Sequence, residues 1–333
     1  MTVVSIIIPA YNRTGPLRAT LASARQAIEH LGEPAEIVLV DDGSEPPLAP
    51  ILADEMRQGT VRLLRQQNQG SIVARNHGLR EAAGEFVLFL DSDDLIAPGK
   101  LRRHVERLRA TGADITYDNV GRYDTTTGAL QTTENPAVAT GTEELVLQVQ
   151  PAPHGPIYRR DYLRRALTPP LIPPLRKFDP VGDVWLYYNL CLFPGSVAKI
   201  DEPLTVIGQH DEERFSQHWE RLGVASLKLM EAFSGLCPPT EATRQARMLV
   251  GERAFNSWRR LPRGFSAEFC RRQLAVWRSA PDHSRMELGG PLFRALARVL
   301  GPVGAGHLLR RRNAPYDGIR TISDEELTRL LAS

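Results

Sequence analysis

The sequence predicts an α/β fold: a mostly parallel central sheet flanked by helices, with a helical appendage after it. Three observations lead there. Uninterrupted apolar runs recur at Val3 to Ile8, Ile37 to Val40 and Phe86 to Leu90; runs without a polar break read as strands buried on both faces, as in a parallel sheet. Between the first two, Leu17, Leu21, Ala24, Ile28 and Leu31 recur at helical spacing, so strands alternate with helices as in βαβ units. Each run ends in polar, turn-prone residues, and right-handed crossovers bring those tips to one sheet edge, where ligands of open α/β folds gather.

In chain order, Pro9-Ala10-Tyr11-Asn12 ends the first strand and turns the backbone toward that edge. Asp41-Asp42-Gly43-Ser44 ends the second; its carboxylates either face a ligand or close an Asx-turn. Asn68-Gln69-Gly70-Ser71 reads as a loop opening a helix, with Ser71 as N-cap and Arg75 one turn inside. The third run delivers Asp91, Asp93 and Asp94 over four positions. Carboxylates so crowded repel unless a cation sits among them, and the natural occupant is Mg²⁺ or Mn²⁺, which takes oxygen ligands and keeps positions open for phosphate. The bland alternative is an acidic turn capping the next helix, which begins near Pro98. Farther on, apolar residues at helical spacing follow Asp183, a short strand spans Leu204 to Ile207, and His210 comes after it.

These motifs, in this order and at these spacings, resemble the inverting glycosyltransferases of family 2, which have the GT-A (Rossmann-like) fold and use nucleotide sugars. Asn68-Gln69-Gly70 and Ala74-Arg75-Asn76-His77-Gly78 belong to the match. It is strong over residues 1 to 120, thinner to 215, and absent beyond.

The resemblance implies roles for particular residues. Pro9, Tyr11, Asn12, Asp41, Asp42, Arg75, Asp91 and Ser92 would form the nucleotide site. Within it Asp41 would accept from a uracil N3–H, Asp42 would reach a ribose hydroxyl or a water, Asp91 would contact ribose, and the Arg75 guanidinium would reach phosphate or base oxygens; the alternative for Arg75 is a salt bridge to Glu81 or Glu85. Asp93 would ligate the metal, with His210 as a further metal or phosphate contact or simply a residue of a polar loop. Asp94, His154 and Asn119 would line the donor- and acceptor-sugar region, Asp94 holding a metal-bound water or capping the next helix. An inverting transfer also needs a base opposite the leaving group. Asp183 falls where that base belongs and Asp179 is its rival, while Gly182 stands where many relatives carry Glu; Asp183 as a plain N-cap is the remaining alternative.

Composition agrees. The 333 residues suit a catalytic domain over 1–220, split into a nucleotide-sugar half (1–120) and an acceptor half (121–220), plus a basic helical domain over 221–333. Cys191, Cys237 and Cys270 lack metal-site spacing and are too few for a disulfide scaffold, which points to a reducing, cytoplasmic setting. The strand expected at Val3 leaves no room for a signal peptide. Residues 231–333 hold 17 Arg and 10 acidic residues, a net of +7, against −5 for the first 230. The stretch from Pro291 to Leu300, followed by Arg310-Arg311-Arg312, could touch an anionic inner membrane face; the preferred expectation is that its apolar stripe packs on the catalytic domain. No stacking or groove-reading motif accompanies the arginines, which disfavours nucleic acid.

The expected activity is therefore a metal-dependent, inverting, hexosyltransferase-type transfer of one sugar from a nucleotide donor, UDP above all, to a saccharide or lipid-linked saccharide acceptor in polysaccharide biosynthesis. The Gln-x-x-Arg-Trp motif of processive relatives is absent. Two other readings compete: a nucleotidyltransferase, which would show a Gly-rich phosphate loop where this chain has Tyr11-Asn12-Arg13-Thr14-Gly15, and a catalytically idle sugar-nucleotide-binding scaffold.

Overall fold

The computed structural model describes residues 1–57, 59, 61–123, 130–133, 138–207, 218–283 and 288–332. The chain forms two compact units, Met1–Glu212 and Glu213–Ser333.

Among the described residues of the first unit nine strands form one sheet: β1 (Val4–Ala10), β2 (Ala35–Asp41), β3 (Val61–Arg65), β4 (Phe86–Phe89), β5 (Leu95–Ile96), β6 (Ile115–Tyr123), β7 (Leu130–Thr133), β8 (Ile157–Arg159) and β9 (Val197–Val206), in the order β3-β2-β1-β4-β8-β6-β9-β5 with β7 on β6. The strands β3, β2, β1 and β4 run parallel, and every residue of β1 and β4 is buried, as unbroken apolar runs require. Beyond β4 the sheet is mixed, since β8 is antiparallel to both β4 and β6, β6 is parallel to β9, and β5 is antiparallel to β9. An all-parallel arrangement thus belongs to the half that carries the sequence motifs. The expected strand at Leu204 to Ile207 is the end of the longer β9.

Pro9 does not end β1 but pairs with Val40 inside it. It is tolerated because β4 pairs only as far as Ile7, so at Pro9 the ladder has one neighbour and a missing N–H costs little. Helix α1 (Gly15–Leu31) buries Leu17, Leu21, Ala24 and Leu31, each large side chain contributing about 1.5–3 kcal/mol. Helix α2 (Ser71–Glu81) follows the 66–70 loop, and α3 (Lys100–Thr111) starts after Gly99 rather than at Pro98. Helices α4 (Arg160–Ala166) and α5 (Gly182–Leu190) follow, α5 entered through a 3-10 turn at Arg176–Val181; shorter helical segments lie at Leu48–Ile51, Ala53–Arg57 and Thr142–Glu144.

The second unit is helical: α6 (Trp219–Leu236), α7 (Arg244–Arg260), α8 (Ala267–Ser279), α9 (Pro291–Arg310) and α10 (Asp324–Ala332). Its core is aromatic, with Phe255 ringed by Trp258, Trp277 and Phe293 at centroid distances of 5.2, 4.7 and 5.9 Å, geometry that adds about 0.5–1.5 kcal/mol per pair to area burial. The apolar stripe of α9 is divided. Phe293 is buried, but Leu292, Val299 and Leu300 are exposed.

Candidate functional site

Parallel pairing sets the tips side by side. Ala10 lies opposite Asp41 and Ile7 opposite Phe89; the Leu90 amide donates to the Ile7 carbonyl at 3.0 Å and the Asp42 amide to the Ala10 carbonyl at 2.9 Å. The loops behind β1 and β2 are pinned together as well, since Asn12 donates its amide to Ser44 Oγ (3.0 Å) and accepts from the Glu45 amide at Oδ1 (2.8 Å). Tyr11 is exposed beside them and Ser92 is buried.

Both carboxylates of the second tip are buried and hold backbone. Asp41 accepts from the Ser44 amide (2.8 Å), the Leu48 amide (3.2 Å) and Arg65 Nη1 (2.7 Å), so its Asx-turn is formed. Asp42 accepts from Gln66 Nε2 (2.7 Å), the Gln69 amide (2.9 Å) and the Gly70 amide (2.8 Å). Asp42 therefore shapes the loop that launches α2.

Ser71 is not the N-cap of α2; Gly70 occupies that position, with φ +97°. The cap comes instead from Asp179, whose Oδ1 accepts from the Ile72 amide (3.1 Å) and from Ser71 Oγ (3.3 Å). A carboxylate there satisfies an orphan donor and meets the positive end of the helix dipole. A Cβ on residue 70 would stand 1.7 Å from Asp179 Oδ2, so only glycine admits this cap. Burial pushes the Asp179 carboxyl up, against the hydrogen bonds from Ile72 and Ser71.

Arg75 pairs with neither Glu81 nor Glu85, which pair with Arg62 and Arg159. It turns inward and forms an ion pair with Asp91. Burial works against its charge, but Asp91 first, then Asp183 and Asp179, hold the guanidinium above its ordinary range. Asp183 lies in the first turn of α5. Burial pushes its carboxyl up, opposed by Arg75 and by hydrogen bonds from the amides of Asp183 and Val184. A Cβ on Gly182 would come within 3.0 Å of Arg75 Nη1 and 3.2 Å of Ile72 Cγ1; the missing side chain gives Arg75 its space. Asp183 and Arg75 line one small void with Phe89, Pro153, Leu186 and Tyr187, and Tyr187 Oη donates to the Pro151 carbonyl at 2.7 Å, tying α5 to the loop of His154.

Asp93 forms an ion pair with Arg13, a residue the motif reading passed over although it directly follows Asn12. Among the described residues no group of three His, Cys, Asp or Glu side chains is placed to hold a metal. One partly exposed carboxylate at a strand tip, already against a cation, still fits Mg²⁺ or Mn²⁺ chemistry, in which one or two protein carboxylates are completed by water and substrate phosphate. The N-cap position of α3 is taken by Gly99, not Asp94. Asp94 Oδ2 lies 3.1 Å from His154 Nδ1. His154 is buried, with Nε2 3.2 Å from the Val206 carbonyl, and its Nδ1, although near Asp94, has no hydrogen-bond partner among the described residues, so the ring lies between Asp94 and β9.

Asn119 is buried on β6 where its register with β9 shifts. Its neighbour Asp118 belongs to a polar cluster that no motif announced: Lys100 Nζ donates to Asp118 Oδ1 (2.8 Å), the Gly155 carbonyl (2.8 Å) and Thr205 Oγ1 (2.9 Å). Burial drives the Lys100 ammonium down; it would drive Asp118 up, but Lys100 and His104 outweigh it and hold the carboxyl below its ordinary range. Burial and then Lys100 lower His104 to about 4. His210 lies outside the described residues.

Residues 5–168 match the family described as glycosyl transferase family 2. Over 118 residues the chain is 36% identical to the succinoglycan biosynthesis protein ExoO of Rhizobium meliloti, 35% of this chain and 33% of that protein. Over 115 residues it is 34% identical to the undecaprenyl-phosphate 4-deoxy-4-formamido-L-arabinose transferase of Pectobacterium carotovorum, 34% of this chain and 35% of that one. Each relative is thus matched over about a third of its length. Among solved structures, S. aureus TarS 1–349 in complex with UDP-GlcNAc superposes with a TM-score of 0.64 at 17% identity, covering 97% of this chain and 93% of that one; the likeness is one of fold, GT-A. The tip motifs, the parallel half-sheet that aligns them and this match agree, and residues 5–168 of the chain form a glycosyl transferase family 2 domain.

Proposed function

We propose that the chain is an inverting, metal-dependent, non-processive glycosyltransferase that moves one hexose from a UDP-linked donor to a saccharide or lipid-linked saccharide acceptor. The observation that carries the reading is the half-buried Asp183 carboxyl beside the Arg75–Asp91 pair, at the edge where the parallel strands end. A carboxyl pushed up by burial is a stronger base than one in water.

In the proposed reaction the acceptor hydroxyl gives its proton to Asp183, its oxygen bonds to the anomeric carbon, and the bond from that carbon to the diphosphate oxygen breaks with its electron pair leaving on UDP. Attack opposite the leaving group inverts the centre. Arg75 fixes Asp91 toward the nucleoside and sets the field around Asp183. Asp179 holds α2, and so Arg75, in place. Asp93 is the residue that would hold Mg²⁺ or Mn²⁺, which supplies Lewis-acid stabilisation of the diphosphate when bound; Arg13 places a second positive charge there. The UDP-GlcNAc in the TarS structure supports UDP, and the names of the two relatives support an acceptor in polysaccharide or lipid-linked sugar synthesis.

Calorimetric titration with UDP, with and without Mn²⁺, tests the donor site on the wild type and on Asp93→Ala. Metal-enhanced binding lost in the variant is expected, and absence of UDP binding under every condition sinks the donor assignment. Turnover lost in Asp183→Asn with UDP binding intact separates an enzyme from a sugar-nucleotide scaffold.

A further inference from the structure

We propose that the first half of α9, Pro291 to Leu300, is a docking face for an anionic lipid surface. Leu292, Val299 and Leu300 are 57%, 83% and 50% exposed. With half-buried Leu296 they stand at i, i+4, i+7 and i+8, a single stripe on the helix. The helix is nevertheless anchored: Phe293, on the edge of that stripe, is buried against Phe255 and under the Arg259 guanidinium, which lies 3.9 Å from its ring centroid. Gly301, with φ +69°, breaks the helix directly after the stripe, and Leu308 beyond the break is again exposed. Leucine and valine are presented outward from a fixed backbone, where packing on their own unit does not cover them.

Charge selects the occupant. From Leu288 to Tyr316 the sequence has five arginines and no Asp or Glu, and Arg298, Arg311 and Arg312 are exposed. A second copy of the chain would bring the same positive surface against this one. A stripe of four side chains is also small beside the roughly 800 Å² that each partner of a stable protein interface buries. A short helix with an apolar stripe and an arginine-rich remainder matches a bilayer interface, where the apolar face enters the headgroup boundary and guanidinium groups meet anionic lipid. Among the described residues no helix is long and apolar enough to cross a membrane, and the proposed contact is interfacial.

Co-sedimentation of the full chain with sucrose-loaded vesicles tests this, using phosphatidylcholine alone and phosphatidylcholine mixed with phosphatidylglycerol. Binding to the mixed vesicles alone, weakening as salt is raised, is expected. The variant Leu292→Ser/Val299→Ser/Leu300→Ser should bind at least about tenfold more weakly, since three apolar side chains no longer leave water. Arg298→Gln/Arg311→Gln/Arg312→Gln should lose the preference for anionic lipid. All six positions are exposed, so circular dichroism and melting should match the wild type; if a variant melts early, salt dependence and lipid preference of the wild type still decide. Absence of vesicle binding, or binding unaffected by both variants, overturns the proposal, as does a concentration-dependent dimer that the serine variant dissolves.

Discussion

Asp179 and Asp183 stand four residues apart, burial pushes both carboxyls up, and pH dependence alone therefore does not separate cap from base. Substitution does. Asp179→Ala removes the acceptor of the Ile72 amide at 3.1 Å and of Ser71 Oγ at 3.3 Å. Loss of a helix cap costs about 0.5–2 kcal/mol, partly offset because a carboxylate raised by burial no longer has to be desolvated. A net loss of about 1 kcal/mol is expected, which for a unit of this size lowers Tm by about 2–4 °C. Asp179→Asn keeps a carbonyl acceptor for the same amide and should lose only a few tenths of that, with kcat within about tenfold of wild type. Asp183→Asn should leave UDP affinity unchanged and cut kcat by about 10²–10⁴. Differential scanning fluorimetry, UDP calorimetry and a coupled assay for released UDP give the three readouts. If Asp179→Asn abolishes turnover at unchanged Tm while Asp183→Asn retains it, the two roles are reversed and the reasoning from the α2 cap is refuted.

Other perturbations follow from the same contacts. Arg75→Met leaves Asp91 and Asp183 facing each other without their cation, and should destabilise by about 2–4 kcal/mol, the usual cost of a broken buried pair reduced for the partial exposure of Asp91; adding Asp91→Asn should recover part of the loss in urea melts. Because the folded Asp183 pKa is raised above 3.8, the native state holds that proton more tightly than the unfolded chain. The stability it lends is present at low pH and is lost as pH rises from about 3.8 through the folded value. Asp183→Asn should accordingly melt higher than wild type at neutral pH, and the acid limb of kcat should lie above the ordinary carboxylate range. Lys100→Met strands Asp118 and should cost about 3–5 kcal/mol, whereas Lys100→Met/Asp118→Leu should recover most of it by chemical denaturation.

The sequence by itself determined β1, β2 and β4, their parallel alignment and their tips, because burial on both faces and a period of 3.6 in the helices between are local properties of a chain. It also marked Asp41, Arg75, Asp91, Asp93 and Asp183 as residues of one edge. What the tertiary structure decided was the partner of each charge. Arg75 could have met Glu81 on its own helix but meets Asp91; Asp93 meets Arg13; and Asp179 caps a helix whose Ile72 amide is 107 positions away in the chain. Such pairings depend on how loops from separate elements pack, on which ion pairs become dry, and on where a glycine leaves space, as Gly70 and Gly182 do. The α9 stripe shows the same division. Periodicity makes it apolar on one side, but only the packing of Phe293 into the aromatic core turns that side outward. Lys100 and Asp118 left no local trace, since a buried ion pair is made by two residues whose neighbours in sequence say nothing of each other.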